Sequence, residues 1–229
     1  MNPFIRPQPV AYLCLFAGFA SGFLAALIFP RIGWAGFAFQ LGQAQNLRSL
    51  PSGGLGFLVL VFQIFVRNYA IALLIAAIPL VLLRYTLHYR KRRPYRSGDF
   101  GIKLKKEISF VLTIYPLSVI FSYGFIVLGL FLAFVFLRGS FTRLLIWVLY
   151  LIPHGFLEIF GLISSASASL VVRDACLGSH GSVLSSLWSR IPRRSYASYL
   201  AFLLLIFLFS AILEVYVSQK FMDFARGVF

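Results

Sequence analysis

The chain has 229 residues, of which 60% are hydrophobic and only 12% charged, with a mean hydropathy of +0.90. A soluble chain carries about twice that charged fraction, so an ordinary soluble domain is excluded and a polytopic integral membrane protein is left. The formal net charge of +15 does not point to nucleic acid, because the basic residues fall mostly between hydrophobic runs, where orientation and anionic lipid headgroups explain them.

The predicted elements follow in order. Residues 1–9 hold three prolines and read as a short broken tail. Span one, 10–29, is long enough to cross a bilayer as a helix of about 30 Å. It runs into Pro30-Arg31 with no small-residue cleavage site, so it reads as a retained span and not a signal peptide. It carries a GxxxG, Gly18 and Gly22, whose spacing lets a neighbouring backbone approach closely; internal packing is the expected use, ahead of homodimerisation. Residues 30–56 are less hydrophobic, with a short interfacial helix expected over 34–47 and a Pro51-Ser52-Gly53-Gly54 breaker after it. Span two, 55–83, carries Gln63, Arg67 and Asn68 inside the apolar run.

Residues 84–107 are the most polar stretch, with nine basic residues (Arg84, Arg90, Lys91, Arg92, Arg93, Arg96, Lys103, Lys105 and Lys106) against Asp99 and Glu107. Span three, 108–137, is longer than a perpendicular crossing needs, so it tilts or is bent by Pro116 and Gly124. Span four, 144–172, follows a tight turn. Within 173–195 the apolar residues Val183, Leu184, Leu187, Trp188 and Ile191 mark one face of a second short interfacial helix. Span five, 196–217, ends near Glu214. The whole chain, 1–229, is therefore expected to be a single all-α domain: a polytopic transmembrane helical bundle of five spans plus short interfacial helices.

Orientation follows from the basic residues. With the amino terminus cytoplasmic, the inner segments hold Arg6, the nine residues of the basic loop, Arg173, Arg190, Arg193 and Arg194, fourteen in all. The outer segments hold six: Arg31, Arg48, Arg138, Arg143, Lys220 and Arg226. That asymmetry predicts a multi-pass protein of the cell membrane with its amino terminus inside and its carboxyl terminus extracellular.

The chemistry is concentrated in span four. His154 and Glu158 are four apart and share a helix face. An ionisable group at the centre of a span costs roughly 3 kcal/mol on insertion scales, so such a group normally faces other helices or a cavity. The chain has only six carboxylate side chains, and two of them, Glu158 and Glu214, lie inside spans. Asn68, His154, Glu158 and Glu214 fall at overlapping depths and are expected to meet as one buried polar cluster, with Arg67 as the counter-charge. Gly155 within span four, and the stripe Gly161, Ser165 and Ser169 with Ser164 and Ala168 beside it, are expected to let a neighbouring helix pack closely, ahead of lining a water-filled path. Cys14 and Cys176 make no CxxC or metal pattern, and a disulfide between them is not expected.

Residues 153–172, PHGFLEIFGLISSASASLVV, resemble the motif of the stage II sporulation protein M family: proline, histidine, glycine, two apolar residues and glutamate, then a small-residue-rich helix. Residues 65–68, FVRN, with the apolar run after them resemble that family's second span, and 209–216, FSAILEVY, resemble its last. The stripe after the glutamate is serine-rich here, where the family's is rich in glycine and alanine. The resemblance implies a membrane scaffold, because sporulating members hold peptidoglycan-cleaving enzymes during engulfment. A non-enzymatic one is expected because the sequence has no nucleotide loop, metal cluster or nucleophile with a base at recognisable spacing. Partners would be membrane lipids and other membrane or envelope proteins, with homo-oligomer formation and without nucleic acid or cofactor.

Two other functions compete with the scaffold. A transporter or permeation protein would use His154, Glu158 and Glu214 as a proton or substrate site, although no internal repeat is evident. An intramembrane hydrolase would need Ser164 or Ser165 beside His154, but separations of ten and eleven residues do not bring them onto one turn, and there is no GxSxG.

Overall fold

The computed structural model describes residues 8–34, 54–92, 98–138, 141–177 and 193–228. Both expected interfacial helices, over 34–47 and around 183–191, lie outside the described residues apart from Trp34. The protein is all-helical. The elements are α1 (Pro9–Ile28), α2 (Gly54–Arg92), α3 (Gly98–Tyr123), a π-helical segment (Gly124–Leu130), α4 (Phe131–Arg138), α5 (Phe141–Leu177) and α6 (Arg193–Val228). Among the described residues, five stretches are long and apolar enough to cross a membrane: Pro9–Ile28, Gly54–Ile78, Ser109–Leu137, Ile152–Asp174 and Arg194–Val217. They overlap the five expected spans, although the second ends at Ile78 and not at Leu83 and the fourth begins at Ile152 and not at Leu144; α2, α3, α5 and α6 continue well past their stretches. At 39 residues, α2 is about 58 Å long.

Span four, in α5, is the axis. Of its membrane-length stretch 61% is buried, against 22% to 44% for the other four, and it packs against α2, α3 and α6. Every residue from Gly161 to Leu170 is buried, so the serine-rich run is wrapped on all sides. In a bilayer the tails offer apolar side chains as good an environment as another helix does. Association therefore rests on close packing and interhelical hydrogen bonds. Small side chains in the middle of α5 supply the first of these.

Helix α1 meets the same requirement differently. Its buried residues are Ala11, Gly18, Gly22 and Ala26, a single stripe of the smallest side chains, while Leu13, Phe16, Leu24 and Ile28 point outward. The stripe lies on span three. A Cβ on Gly18 would strike the Phe121 carbonyl oxygen, and one on Gly22 the Phe125 carbonyl oxygen. Span three returns the fit, since a Cβ on Gly124 would strike the Leu15 carbonyl and one on Gly129 would come within 2.6 Å of the Phe19 carbonyl. The GxxxG thus serves packing within the chain.

Span three is not one uninterrupted α-helix. Pro116 sits inside α3, and at Gly124 the helix widens into seven residues of π-helix before resuming as α4. The expected deviation at Gly124 is there, as a change of winding. A π segment adds a residue to the turn and re-aims the side chains on either side of it.

Candidate polar site within the bundle

Five side chains from four helices converge part-way along the bundle. From α2, Arg67 Nε donates to Asn68 Oδ1 at 3.0 Å. Asn68 Nδ2 in turn donates to Glu158 Oε1 on α5. One amide thus spends its acceptor on the guanidinium and its donor on the carboxylate, which fixes its orientation. The Tyr123 hydroxyl at the end of α3 and the Glu214 carboxyl of α6 are the other polar groups whose electrostatic influence reaches Glu158. Asn68 and Glu158 are each 9% exposed, so neither relies on water for its hydrogen bonds.

The spacing of the polar residues on the helices explains the convergence. On α6, Ser210 and Glu214 are four apart and face α5 together. Ser210 Oγ donates to the His154 carbonyl at 3.0 Å, and Glu214 lies one turn further along α6. His154 itself is buried, on the same face as Glu158 and one turn away. Glu214 Oε2 is sealed from solvent without a hydrogen-bonding partner.

The serine run is satisfied largely by backbone. Ser169 Oγ donates to the Ile75 carbonyl of α2 at 2.7 Å, and Ser165 Oγ donates to the Gly161 carbonyl at 2.9 Å. The Gln8 backbone N–H donates to Ser167 Oγ at 2.8 Å, tying the start of α1 to α5. At the same end of the bundle the Tyr196 hydroxyl donates to the Ala76 carbonyl at 2.8 Å, and Arg173 Nη1 donates to Thr113 Oγ1 at 3.2 Å. Ser164, Ser165, Ser167 and Ser169 have no exposed surface.

Two expected packing residues differ from each other. Gly161 is a close-contact glycine, since a Cβ there would come within 2.6 Å of the Phe207 ring. Gly155 is not: a Cβ on it would meet nothing within 4 Å. The expectation for Gly155 is corrected accordingly, because its side of α5 turns away from the packed face that carries His154 and Glu158. Gln63, four residues before Arg67 on α2, is exposed. The sequence reading did not single out Tyr123 or Ser210. Ser210 carried a usable signal, a lone polar residue four before a span carboxylate. Tyr123 carried none that separates it from Tyr115. The Cys14 thiol is free, and no group of three or more metal-ligating side chains occurs among the described residues.

Compared with protein-family models, curated proteins and solved structures, the chain matches none.

Proposed function

We propose that this protein is a non-enzymatic membrane scaffold: a rigid five-span body that recruits other membrane or envelope proteins, as the resemblance to the stage II sporulation protein M family implies. The supporting observation is how the interior polar groups are used. Ser167, Ser169, Ser210, Asn68 and Glu158 each hydrogen-bond across a helix–helix contact in a closely packed interior. A water-filled path would instead leave such groups facing a channel. In this reading the polar cluster locks four spans into one shape, and the partners bind outside it.

The proposed orientation has the amino terminus cytoplasmic and the carboxyl terminus outside, on the fourteen-to-six distribution of basic residues. Membrane lipids and further copies of the chain are proposed neighbours. The test is affinity purification of the full chain from its native membrane in mild detergent, with the co-purifying proteins identified and quantified. A stoichiometric membrane or envelope partner, lost on Asn68→Leu, supports the scaffold.

A transport reading competes on one observation, the two span carboxylates set against a single guanidinium. Reconstituted liposomes distinguish the two. Proton, ion or lipid flux above empty vesicles, altered by Glu158→Gln, would replace the scaffold with a permeation protein.

A further inference from the structure

We infer that the π segment Gly124–Leu130 is a one-residue surplus in span three that α1 holds in place, a slip joint that sets the outer end of the span against the inner end. The joint is independent of the scaffold reading.

On entry to the segment the two helices keep step. Gly18 and Gly22, four apart on α1, lie against the carbonyls of Phe121 and Phe125, four apart on span three. Beyond Gly124 the step changes. A Cβ on Gly124 would fall against the Leu15 carbonyl and the Phe19 nitrogen, and one on Gly129 against the Phe19 carbonyl and the Phe23 nitrogen. An advance of four residues on α1 is thus met by five on span three. In an α-helix, residues five apart are turned from each other by about 140°, so both glycines could not face one neighbour. A π turn takes one residue more, and both then face α1.

Nothing in span three itself forces this winding. Pro116 lies eight residues before Gly124, more than two turns away. The segment, GFIVLGL, has no polar side chain that could insert into the backbone ladder. The bonds of that kind in the span, from Thr113 to the Ser109 carbonyl and from Ser118 to the Tyr115 carbonyl, lie more than a turn earlier. Two glycines make a departure from α winding cheap, since each favours the helix by about 1 kcal/mol less than alanine does; α1 supplies the reason for it. Helix α1 is also the span least enclosed by the rest, with 22% of its membrane-length stretch buried, so it is the one that can leave. Once it does, the surplus residue has no counterpart, the segment rewinds as α-helix and α4 turns by about 100° relative to α3. The outer end of α1 meets α4 through Phe23 and Phe136, whose ring centroids are 6.2 Å apart, so the setting of α4 follows the docking of α1.

Single-residue deletions test the joint in the full chain. Cys14 and Cys176 are replaced by alanine, and spin labels are placed by Leu137→Cys and Tyr216→Cys, exposed positions at the ends of spans three and five. Removing Val127 takes out the surplus: the two glycines then stand four apart on an α-helix, still on one face, and α4 keeps its setting. The expected result is an unchanged distance distribution by double electron–electron resonance in lipid nanodiscs, and an unchanged unfolding midpoint in detergent. Removing Val119, in the α-helical part of the same span, should displace the distribution and lower the midpoint. Gly18→Leu, which releases α1, should move the distribution outside its original width. Gly18→Leu combined with removal of Val127 should bring it back, because the shortened span has nothing to rewind; the missing cover of α1 is common to both and cancels. Deletion of Val127 as damaging as deletion of Val119 would overturn the surplus. No displacement in Gly18→Leu, or one that persists in the combination, would overturn the hold of α1. If Gly18→Leu fails to fold, the two deletions decide: equal damage overturns the joint, and tolerance at Val127 alone supports it.

Discussion

Asn68 Nδ2 donates to Glu158 Oε1 across 90 residues of sequence, and this one amide ties α2 to the axis of the bundle. Its other side accepts from Arg67 Nε. A leucine in its place has similar volume and can satisfy neither neighbour. Leaving a buried acceptor unmatched costs about 1–3 kcal/mol in general, while interhelical hydrogen bonds inside membranes average about 0.6 kcal/mol. The expected loss for Asn68→Leu is therefore about 1–2 kcal/mol, read as a lower unfolding midpoint when mixed micelles are titrated with a denaturing detergent. Asn68→Asp should lose more, because it places a third carboxyl beside Glu158. An aspartate variant as stable as the wild type would contradict the hydrogen bond.

The backbone contact between α1 and span three gives a second prediction. Gly18 and Gly124 face opposing carbonyl oxygens, and a backbone cannot rotate aside as a side chain can. Gly18→Leu and Gly124→Leu should each detach α1, with losses at or above the top of the usual overpacking range of about 1–3 kcal/mol. Gly155→Ala has open space and gains helix propensity worth up to about 1 kcal/mol. It should be neutral or stabilising. Cysteine accessibility at Cys14, half-buried in the wild type, gives a local readout, since labelling should accelerate only in the first two variants.

The spans and most of the polar cluster were legible in the sequence, for one physical reason. Polar groups are so costly in a bilayer that their presence in an apolar run implies partners. Asn68, Glu158 and Glu214 stood out by that cost, and Gly18 and Gly22 by their spacing. What stayed hidden has no comparable penalty. Tyr123 and Tyr115 look alike in sequence, because a tyrosine is tolerated in a span wherever its hydroxyl finds an acceptor. Which one reaches Glu158 depends on the winding of span three, and the π segment at Gly124 has no residue pattern that announces it. Gly155 was misread because it adjoins the buried His154; on a helix, the next residue is rotated by about 100° from its neighbour.

Ser164 and Ser169 make a matched pair for a third prediction. Both are fully buried on α5, but Ser169 Oγ donates to the Ile75 carbonyl at 2.7 Å, whereas Ser164 Oγ has no partner. Ser169→Ala removes a bond between α5 and α2 and should cost about 1 kcal/mol. Ser164→Ala removes a hydroxyl that is desolvated without compensation, so it should be neutral or stabilise by up to about 1 kcal/mol. The two variants differ by the same atom, which cancels the change in helix propensity between them. Equal effects on the detergent midpoint would mean that the Ile75 bond adds nothing to stability.

The last prediction concerns the contact between Gly161 and Phe207, which sets how closely α6 approaches the axis. The ring of Phe207 is fully buried, with its far edge over the α-carbon of Gly161. Truncation by Phe207→Ala opens a cavity and should cost about 3–5 kcal/mol. Gly161→Ala acts from the other side: its methyl would come within 2.6 Å of a ring atom, so the ring must shift, at about 1–3 kcal/mol. These costs share one cause and cannot be additive. Replacing Phe207 by leucine shortens the side chain at the point where the new methyl arrives, so Gly161→Ala combined with Phe207→Leu should be more stable than the sum of the single losses implies. Because Ser210 lies one turn beyond Phe207 on α6, the same close approach lets Ser210 Oγ reach the His154 carbonyl. Gly161→Ala alone should therefore loosen the Ser210 contact as well as the fold, and the leucine rescue should restore both. A double-mutant cycle with no coupling between the two positions would show that Phe207 does not set the distance between α5 and α6.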